Sequence, residues 1–125
     1  MQQLSGHVAI VDDDPSLRTA LARLLAAHKI DCLTYTSARA FLEALPSARP
    51  VCLILDVNMP EMTGLDLQRE LLRLGVHIPT IVITAVADES IAASAKSLGA
   101  VDFLSKPIAG ERLMAAINAS ETKRN

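Results

Sequence analysis

The sequence contains only three aromatic residues, Tyr35, Phe41 and Phe103, and no tryptophan. The core must therefore be built from aliphatic side chains and alanine, which fits a hydrophobic fraction of 50%. A charged fraction of only 21% excludes an intrinsically disordered chain at this hydrophobicity. The 125 residues suffice for one domain, which would bury roughly two-thirds of the surface of its unfolded chain.

The sequence also has no excess of positive charge. Twelve Lys and Arg residues stand against fourteen Asp and Glu residues, which gives a formal net charge of -2. Binding to a phosphate backbone or to an anionic membrane surface is driven by an excess of basic side chains. We therefore expect this chain to bind neither nucleic acid nor a membrane directly.

Cysteines are few, and long apolar runs are missing. Cys32 and Cys52 lie in separate apolar segments without CxxC spacing, which predicts free, buried thiols rather than a disulfide or a zinc site. No stretch approaches the roughly 18 apolar residues of a membrane span. The start, MQQLSGHVAIVDDD, has no cationic region followed by a long apolar one. We therefore expect a cytoplasmic location.

Short apolar runs predict five strands, and a segment with helical periodicity follows each of them. The strands are predicted at 7–11, 31–35, 51–55, 80–84 and 101–104. The first helix is predicted to begin at Pro15 with Asp14 as its N-cap, and later helices at 37–45, 65–74, 88–98 and 110–120. Strands that alternate with single helices pair in parallel, so the predicted fold is an α/β, doubly wound five-stranded parallel sheet with five helices.

Residues 1–120 are predicted to form this single domain, and 121–125 (ETKRN) a polar tail or the start of a linker. Ligands of such sheets bind at the carboxyl ends of the strands. Polar residues follow four of these ends in the sequence: Asp12, Asp13 and Asp14 after the first strand, Asp56 after the third, Thr84 at the fourth and Lys106 after the fifth.

When different strands bring their carboxylates together, these groups repel one another and therefore require a cation. Oxygen ligands alone indicate a hard ion, and Mg²⁺ fits because it keeps several waters and leaves room for a phosphoryl group. Asp56 can then act as a nucleophile that forms an aspartyl phosphate. Lys106 and Thr84 supply an ammonium and a hydroxyl that can hold the phosphoryl oxygens.

Four motifs, IVDDD, LDVNMPEMTG, IVITA and DFLSKP, occur in this order on the predicted elements. With them the chain resembles the receiver domain of two-component response regulators over about residues 7–119. The resemblance implies a flavodoxin-like strand order of 2-1-3-4-5 and phosphorylation of Asp56 with Mg²⁺, for which Mn²⁺ can substitute. The residues that it assigns to the site are Asp12, Asp13, Asp56 and the Asn58 carbonyl for the metal, Lys106 for the phosphoryl group, and Thr84 and Phe103 for the switch.

The phrases SARAFLEAL, NMPEMTGLDL and GAVDFLSKP are similar to the FixJ-like branch, whose receivers usually precede a helix-turn-helix DNA-binding domain. This likeness implies a sensor histidine kinase as partner and a transcriptional output domain that is not within this sequence. It also implies a signalling module rather than an enzyme. A phosphorylation-dependent homodimer through helix four, strand five and helix five is a further expectation.

Three other functions compete with this interpretation. A phosphohydrolase of the haloacid dehalogenase kind also uses an aspartate nucleophile with Mg²⁺, but needs an acid where this chain has Asn58. A flavodoxin-like carrier would place three aspartates beside a flavin phosphate. A receiver that only docks, without phosphorylation, usually lacks an acidic residue or the lysine that are present here as Asp56 and Lys106.

Overall fold

The computed structural model describes residues 6–86 and 88–121. Its five strands form one parallel sheet in the order β2-β1-β3-β4-β5, which confirms the predicted topology. The strands are β1 (Val8–Val11), β2 (Cys32–Tyr35), β3 (Cys52–Asp56), β4 (Thr80–Thr84) and β5 (Ala100–Ser105). The helices are α1 (Pro15–Ala27), α2 (Ala38–Ala44), α3 (Gly64–Arg73), α4 (Glu89–Ser97) and α5 (Gly110–Ser120).

Helices cover both faces of the sheet. Ile10 of β1 belongs to the cluster that includes Leu25 of α1 and Leu113 of α5. Its neighbour Val11 belongs to the opposite cluster, with Phe41 of α2 and helix α3. Successive side chains of a strand point to opposite faces, so the continuous apolar runs of β1 and β3 supply both cores.

Most helices begin with a side-chain cap. The Asp14 carboxylate accepts the Ser16 N–H at 2.9 Å, and the Ser37 hydroxyl accepts the Ala40 N–H at 3.1 Å, as the sequence predicted. At α3, Thr63 and Asp66 form a reciprocal capping box. These caps fix where the helices start at the carboxyl edge of the sheet, and so they shape the loops that carry the polar residues.

The ends of α1 and α3 share a backbone-closed geometry. Ile30 N–H donates to the Leu25 carbonyl, and Val76 N–H donates to the Leu71 carbonyl, both at 2.9 Å. This Schellman motif requires a residue with positive φ just beyond the helix. In α3 that residue is Gly75, with φ of 71°, whereas in α1 it is Lys29, with φ of 60°. Lys29 therefore occupies a conformation that is unfavourable for a residue with a Cβ atom.

Some expectations need correction or lie outside the described residues. Cys32 and Cys52 form no disulfide, and Cys52 is buried, but Cys32 is only half-buried. The reason is that β2 is an edge strand, so one of its sides has no neighbouring strand. The predicted tail at 121–125 is described only at Glu121. Within the described residues, no helix combines the length and the apolar character needed to cross a membrane.

We predict that Lys29→Gly raises the free energy of unfolding by about 0.5–1 kcal/mol, because glycine adopts positive φ without steric cost. Chemical denaturation followed by circular dichroism measures this. The reciprocal change, Gly75→Ala, should lower stability by about 1 kcal/mol, since nothing lies within 4 Å of the added Cβ and only the backbone conformation is tested. An unchanged or lower stability of Lys29→Gly would contradict this account of the α1 end.

Candidate functional site

Three carboxylates meet at the carboxyl edge of the sheet. One oxygen from each of Asp12, Asp13 and Asp56 lies within 4.8 Å of the others. Asp12 is fully buried and Asp56 is 2% exposed, while Asp13 is exposed. The cluster forms because β1 and β3 are neighbours in register, so residues that follow β1 lie beside the last residue of β3.

Backbone groups hold the loop after β1 in place. Oδ1 of Asp12 accepts the Asp14 N–H at 2.9 Å, and the Asp12 carbonyl accepts Nη1 of Arg18 at 2.7 Å. Asp14 points away to cap α1. The structure thus brings Asp12 and Asp13 into the cluster and confirms Asp14 as the cap of α1, while metal binding by the acidic pair stays a prediction.

Lys106 is the cation that the structure places at the cluster. Its Nζ lies 3.1 Å from Oδ2 of Asp12 and 3.2 Å from Oδ1 of Asp56. Its backbone N–H donates to the Thr84 carbonyl at 2.7 Å, which ties the loop after β5 to the end of β4. Lys106 therefore bridges the buried carboxylates of Asp12 and Asp56 from the loop that follows β5.

The charges shift the titration of Asp56 and Lys106. Burial raises the pKa of Asp56, the neighbouring Asp12 raises it further, and Lys106 only partly offsets them. For Lys106, burial alone would lower the pKa, but the close ionic contacts with Asp12 and Asp56 outweigh it, so the pKa is raised. The surroundings thus favour the charged form of Lys106, whereas they make the ionised form of Asp56 less favourable than it is in water.

The buried carboxylates are incompletely satisfied by the protein. Oδ2 of Asp12 and Oδ1 of Asp56 contact the ammonium, yet among the described residues no donor makes a hydrogen bond of good geometry to either. Three ionised carboxylates and one ammonium leave a formal charge of -2. Uncompensated buried charge is costly, and oxygen ligands suit hard divalent cations. The cluster therefore could hold a metal ion.

Thr84 is fully buried at the end of β4. Its Oγ1 accepts the side-chain N–H of Asn58 at 3.4 Å and the backbone N–H of Val86 at 3.2 Å. A hydroxyl has one proton to donate in addition to its acceptor positions. Because both bonds use the oxygen as acceptor, the Thr84 proton remains available for another acceptor at the site.

Phe103, which the family resemblance assigns to the switch, is partly covered by other residues. It is half-buried in β5 and packs against the small cluster of Val57, Val82 and Ala95. The reason is that α4 covers this side of β5 through Ala95. The proposed movement of Phe103 would therefore start from a position already in contact with the core.

Two residues that position the site have no recognisable signal in the sequence. Gly64 donates its N–H to the Val57 carbonyl at 2.9 Å, and a Cβ at Gly64 would lie 2.3 Å from the Asp56 carbonyl oxygen. Only glycine permits this close approach of α3 to the end of β3. Arg18, which holds the Asp12 carbonyl, gave no sequence signal because its spacing is that of an ordinary helix-surface residue.

Comparison with known proteins agrees with this geometry. A family model described as the response regulator receiver domain matches residues 8–118. The chain belongs to this family. Receiver domains of response regulators are signalling modules in two-component systems, so the identification made from the motifs is confirmed, and the homologues include transcriptional regulators.

The relatives of this receiver domain include proteins named as response regulators and as transcriptional regulatory proteins. The response regulator protein TodT of Pseudomonas putida is 41% identical over 120 residues, which cover 96% of this chain and 53% of TodT. The transcriptional regulatory protein FixJ of Azorhizobium caulinodans is 41% identical over 113 residues, which cover 90% of this chain and 54% of FixJ. The chain thus spans about half the length of these curated relatives.

A solved structure supports the same assignment. The crystal structure of FixJ-N superposes with a TM-score of 0.87 at 40% sequence identity, covering 97% of this chain and 96% of that one. The receiver domain described here therefore shares its fold with a FixJ-like receiver, as the sequence motifs indicated.

We predict that Asp56→Asn raises Tm in metal-free buffer by roughly 3–6 °C, the shift that about 1 kcal/mol produces in a domain of this size. The ionised carboxylate is destabilised in the folded state, so wild-type stability falls as pH rises above the ordinary pKa of aspartate. The difference between the two proteins should therefore narrow as pH is lowered. Thermal melts across pH measure it, with Asp14→Asn, a conservative change of a helix cap, as the control. A lower Tm for Asp56→Asn would contradict this prediction.

Proposed function

We propose that Asp56 accepts a phosphoryl group from a sensor histidine kinase and that the phosphorylated receiver changes its interaction surface. The observation that carries this proposal is the position of Asp56, a carboxylate at the buried end of β3 that shares a cluster with Asp12, Asp13 and Lys106. A buried aspartate with raised pKa at the end of an apolar strand has no evident structural purpose, and such perturbed groups are typical of functional sites.

The metal of this reaction is Mg²⁺ in our proposal, and Mn²⁺ would substitute for it. Its ligands would be the carboxylates of Asp12, Asp13 and Asp56 and the backbone carbonyl of Asn58. Among the described residues, Lys106 is the single ammonium in contact with two of these three clustered carboxylates, and the excess of negative charge supports a second cation there. When bound, the ion neutralises charge that the carboxylates and a phosphoryl dianion would otherwise bring together.

The protein's own groups suit phosphoryl transfer. A carboxylate oxygen of Asp56 attacks the phosphorus of the kinase phosphohistidine, the O–P bond forms, and the P–N bond breaks. Lys106 is placed to exchange one of its carboxylate contacts for a phosphoryl oxygen. Thr84 has a hydroxyl proton to donate to another phosphoryl oxygen. The phosphoryl group stays on the protein until hydrolysis, so this receiver is a signalling domain rather than an enzyme.

The output of the switch is an interaction surface formed by α4, β5 and α5, which we call the switch surface. A bond from Thr84 to the phosphoryl group would draw the loop after β4 inward, and Phe103 would follow. Relatives named as transcriptional regulators support a transcriptional output domain as the target of this switch. In our proposal the receiver acts in the cytoplasm, where the kinase presents its phosphohistidine.

We predict that acetyl phosphate adds one phosphoryl group to this chain only when Mg²⁺ or Mn²⁺ is present. Intact-mass analysis would show the adduct, and Asp56→Asn and Asp13→Ala should each lower its rate of formation at least about a hundredfold, the scale on which charge-stabilising groups act. The matched control is Asp14→Asn, which changes an aspartate of the same run that caps α1 rather than facing the cluster. If Asp56→Asn is phosphorylated at the rate of the wild type, the assignment of Asp56 as the phosphorylation site is wrong.

We predict that beryllofluoride with Mg²⁺ shifts the receiver from monomer toward dimer through the switch surface. This surface carries Ile91 and Ala92, half-buried, beside the exposed Lys96. Asp102 and Arg112 form a bidentate ion pair there, with N–O distances of 2.9 and 3.0 Å. Modest apolar area with charges at its rim suits a weak two-fold interface that a few kcal/mol can switch.

Sedimentation velocity over a concentration series measures this shift. Thr84→Ala should abolish it, while Arg23→Ala, an exposed change on α1, should leave it intact. A monomer that persists at high concentration with beryllofluoride bound would rule out the dimer.

A further inference from the structure

Helix α4 is attached to the rest of the fold mainly at one residue. Of its nine residues only Ala95 is buried, whereas α5 buries five. Ile91, the one large apolar residue of α4, is only half-buried against the same small cluster as Phe103. Little apolar area therefore holds α4 in place, and its position depends strongly on what happens at Ala95.

The carbonyl of Ala95 is bound by a side chain from another helix. Gln68 of α3 is 3% exposed, and its Nε2 donates to the Ala95 oxygen at 3.1 Å. Gln68 lies between Leu67 and Leu71 on the buried side of α3, where an amide is out of place unless it is hydrogen-bonded. The bond spans 27 residues of sequence and joins two helices that neighbour each other on one face of the sheet.

The ends of the helices show what this bond replaces. In α1 and α3 the carbonyl three residues before the C-cap accepts a backbone N–H from beyond the same helix, as described for Leu25 and Leu71. Ala95 is the residue in the equivalent position of α4, and its carbonyl accepts Gln68 instead. The N–H of Gly99 still closes the last turn of α4 onto the Lys96 carbonyl at 3.0 Å, so the Gln68 bond adds to this closure and ties the helix end to α3.

The net free energy that this hydrogen bond contributes is small. Oε1 of Gln68 is buried without a hydrogen-bond partner among the described residues, so only half of the amide is satisfied in this state. A cleft of about 220 Å³ between the ends of α3 and α4 is lined by Gln68, Leu71, Leu72, Ile78, Leu98 and Gly99. An unsatisfied acceptor offsets much of what the donated bond contributes, and the cleft gives the end of α4 space to move.

We propose that Gln68 is a positioning residue that latches α4 in its resting place and thereby raises the free-energy cost of switching. The inference rests on the proposed phosphorylation of Asp56. Release of the Gln68 bond from Ala95 lets α4 follow the loop after β4 when Thr84 moves. The latch opposes activation because the bond is present in the unphosphorylated state and its loss lowers the stability of that state alone.

The test is Gln68→Met, which keeps the length of the side chain and removes the donor. With Mg²⁺ present, the variant should bind beryllofluoride roughly three- to tenfold more tightly than the wild type, the factor that one net hydrogen bond supplies. A purely structural role for Gln68 would lower Tm and leave this affinity unchanged or weaker, and either of those affinities would overturn the proposal.

Two comparisons separate the latch from other effects. In a Thr84→Ala background, where the link between site and α4 is cut, Gln68→Met should no longer tighten binding; persistent tightening there would argue against the latch. Leu72→Ala, an exposed change on the same helix and beside the same cleft, should bind beryllofluoride like the wild type; tightening by this variant would assign the effect to the cleft instead.

Hydrogen exchange without any phosphoryl mimic tests the latch independently of the proposed function. The α4 amides of Gln68→Met should exchange about three- to tenfold faster than those of the wild type, while the α5 amides stay unchanged. Equal α4 rates would overturn the proposal. If the wild type binds no beryllofluoride but its α4 amides still exchange more slowly than those of Gln68→Met, the proposed phosphorylation of Asp56 is wrong and the latch is supported.

Discussion

The crowding of three carboxylates, two of which share one ammonium, is the constraint on which the rest of the site depends. Asp12 and Asp56 are buried where their charges repel, and Lys106 contacts both without satisfying either. Such an arrangement persists only if the surrounding backbone fixes it. Arg18 holds the Asp12 carbonyl, and Gly64 lets α3 approach the end of β3. The rigid sheet edge thus maintains a charge distribution that favours an incoming cation.

The same edge connects the site to the proposed switch surface. Thr84 ends β4, and its oxygen is already engaged by Asn58 and by the N–H of Val86, which lies in the loop toward α4. A new acceptor for the Thr84 proton therefore acts on a group that is coupled to that loop. On the other side, the Lys106 N–H donates to the Thr84 carbonyl at 2.7 Å, which joins the ends of β4 and β5. Phe103 and α4 are the next elements along this route.

The sequence predicts those features that depend on local pattern. Apolar runs located all five strands, Asp14 and Ser37 located helix starts, and the ends of strands one, three, four and five placed Asp12, Asp56, Thr84 and Lys106 at one edge. Features that depend on long-range packing could not be found in this way. Gln68 and Arg18 have the spacing of ordinary helix residues. Their roles arise from carbonyls outside their own helices, 27 residues away for Gln68 and six residues away for Arg18. The half-burial of Phe103 likewise depends on how α4 covers β5.

Helix α4 differs from the other helices in the way that a switching element must. A helix such as α5, with five buried residues, could not be displaced by a single hydrogen bond, because burial of each large aliphatic side chain contributes roughly 1.5–3 kcal/mol. α4 buries only Ala95, so the apolar burial that opposes its movement is small. One phosphoryl contact at Thr84 and one amide bond at Ala95 are then comparable in size, which allows a change at the site to decide the position of the helix. The sparse packing of α4 is therefore what would let the proposed switch displace this helix.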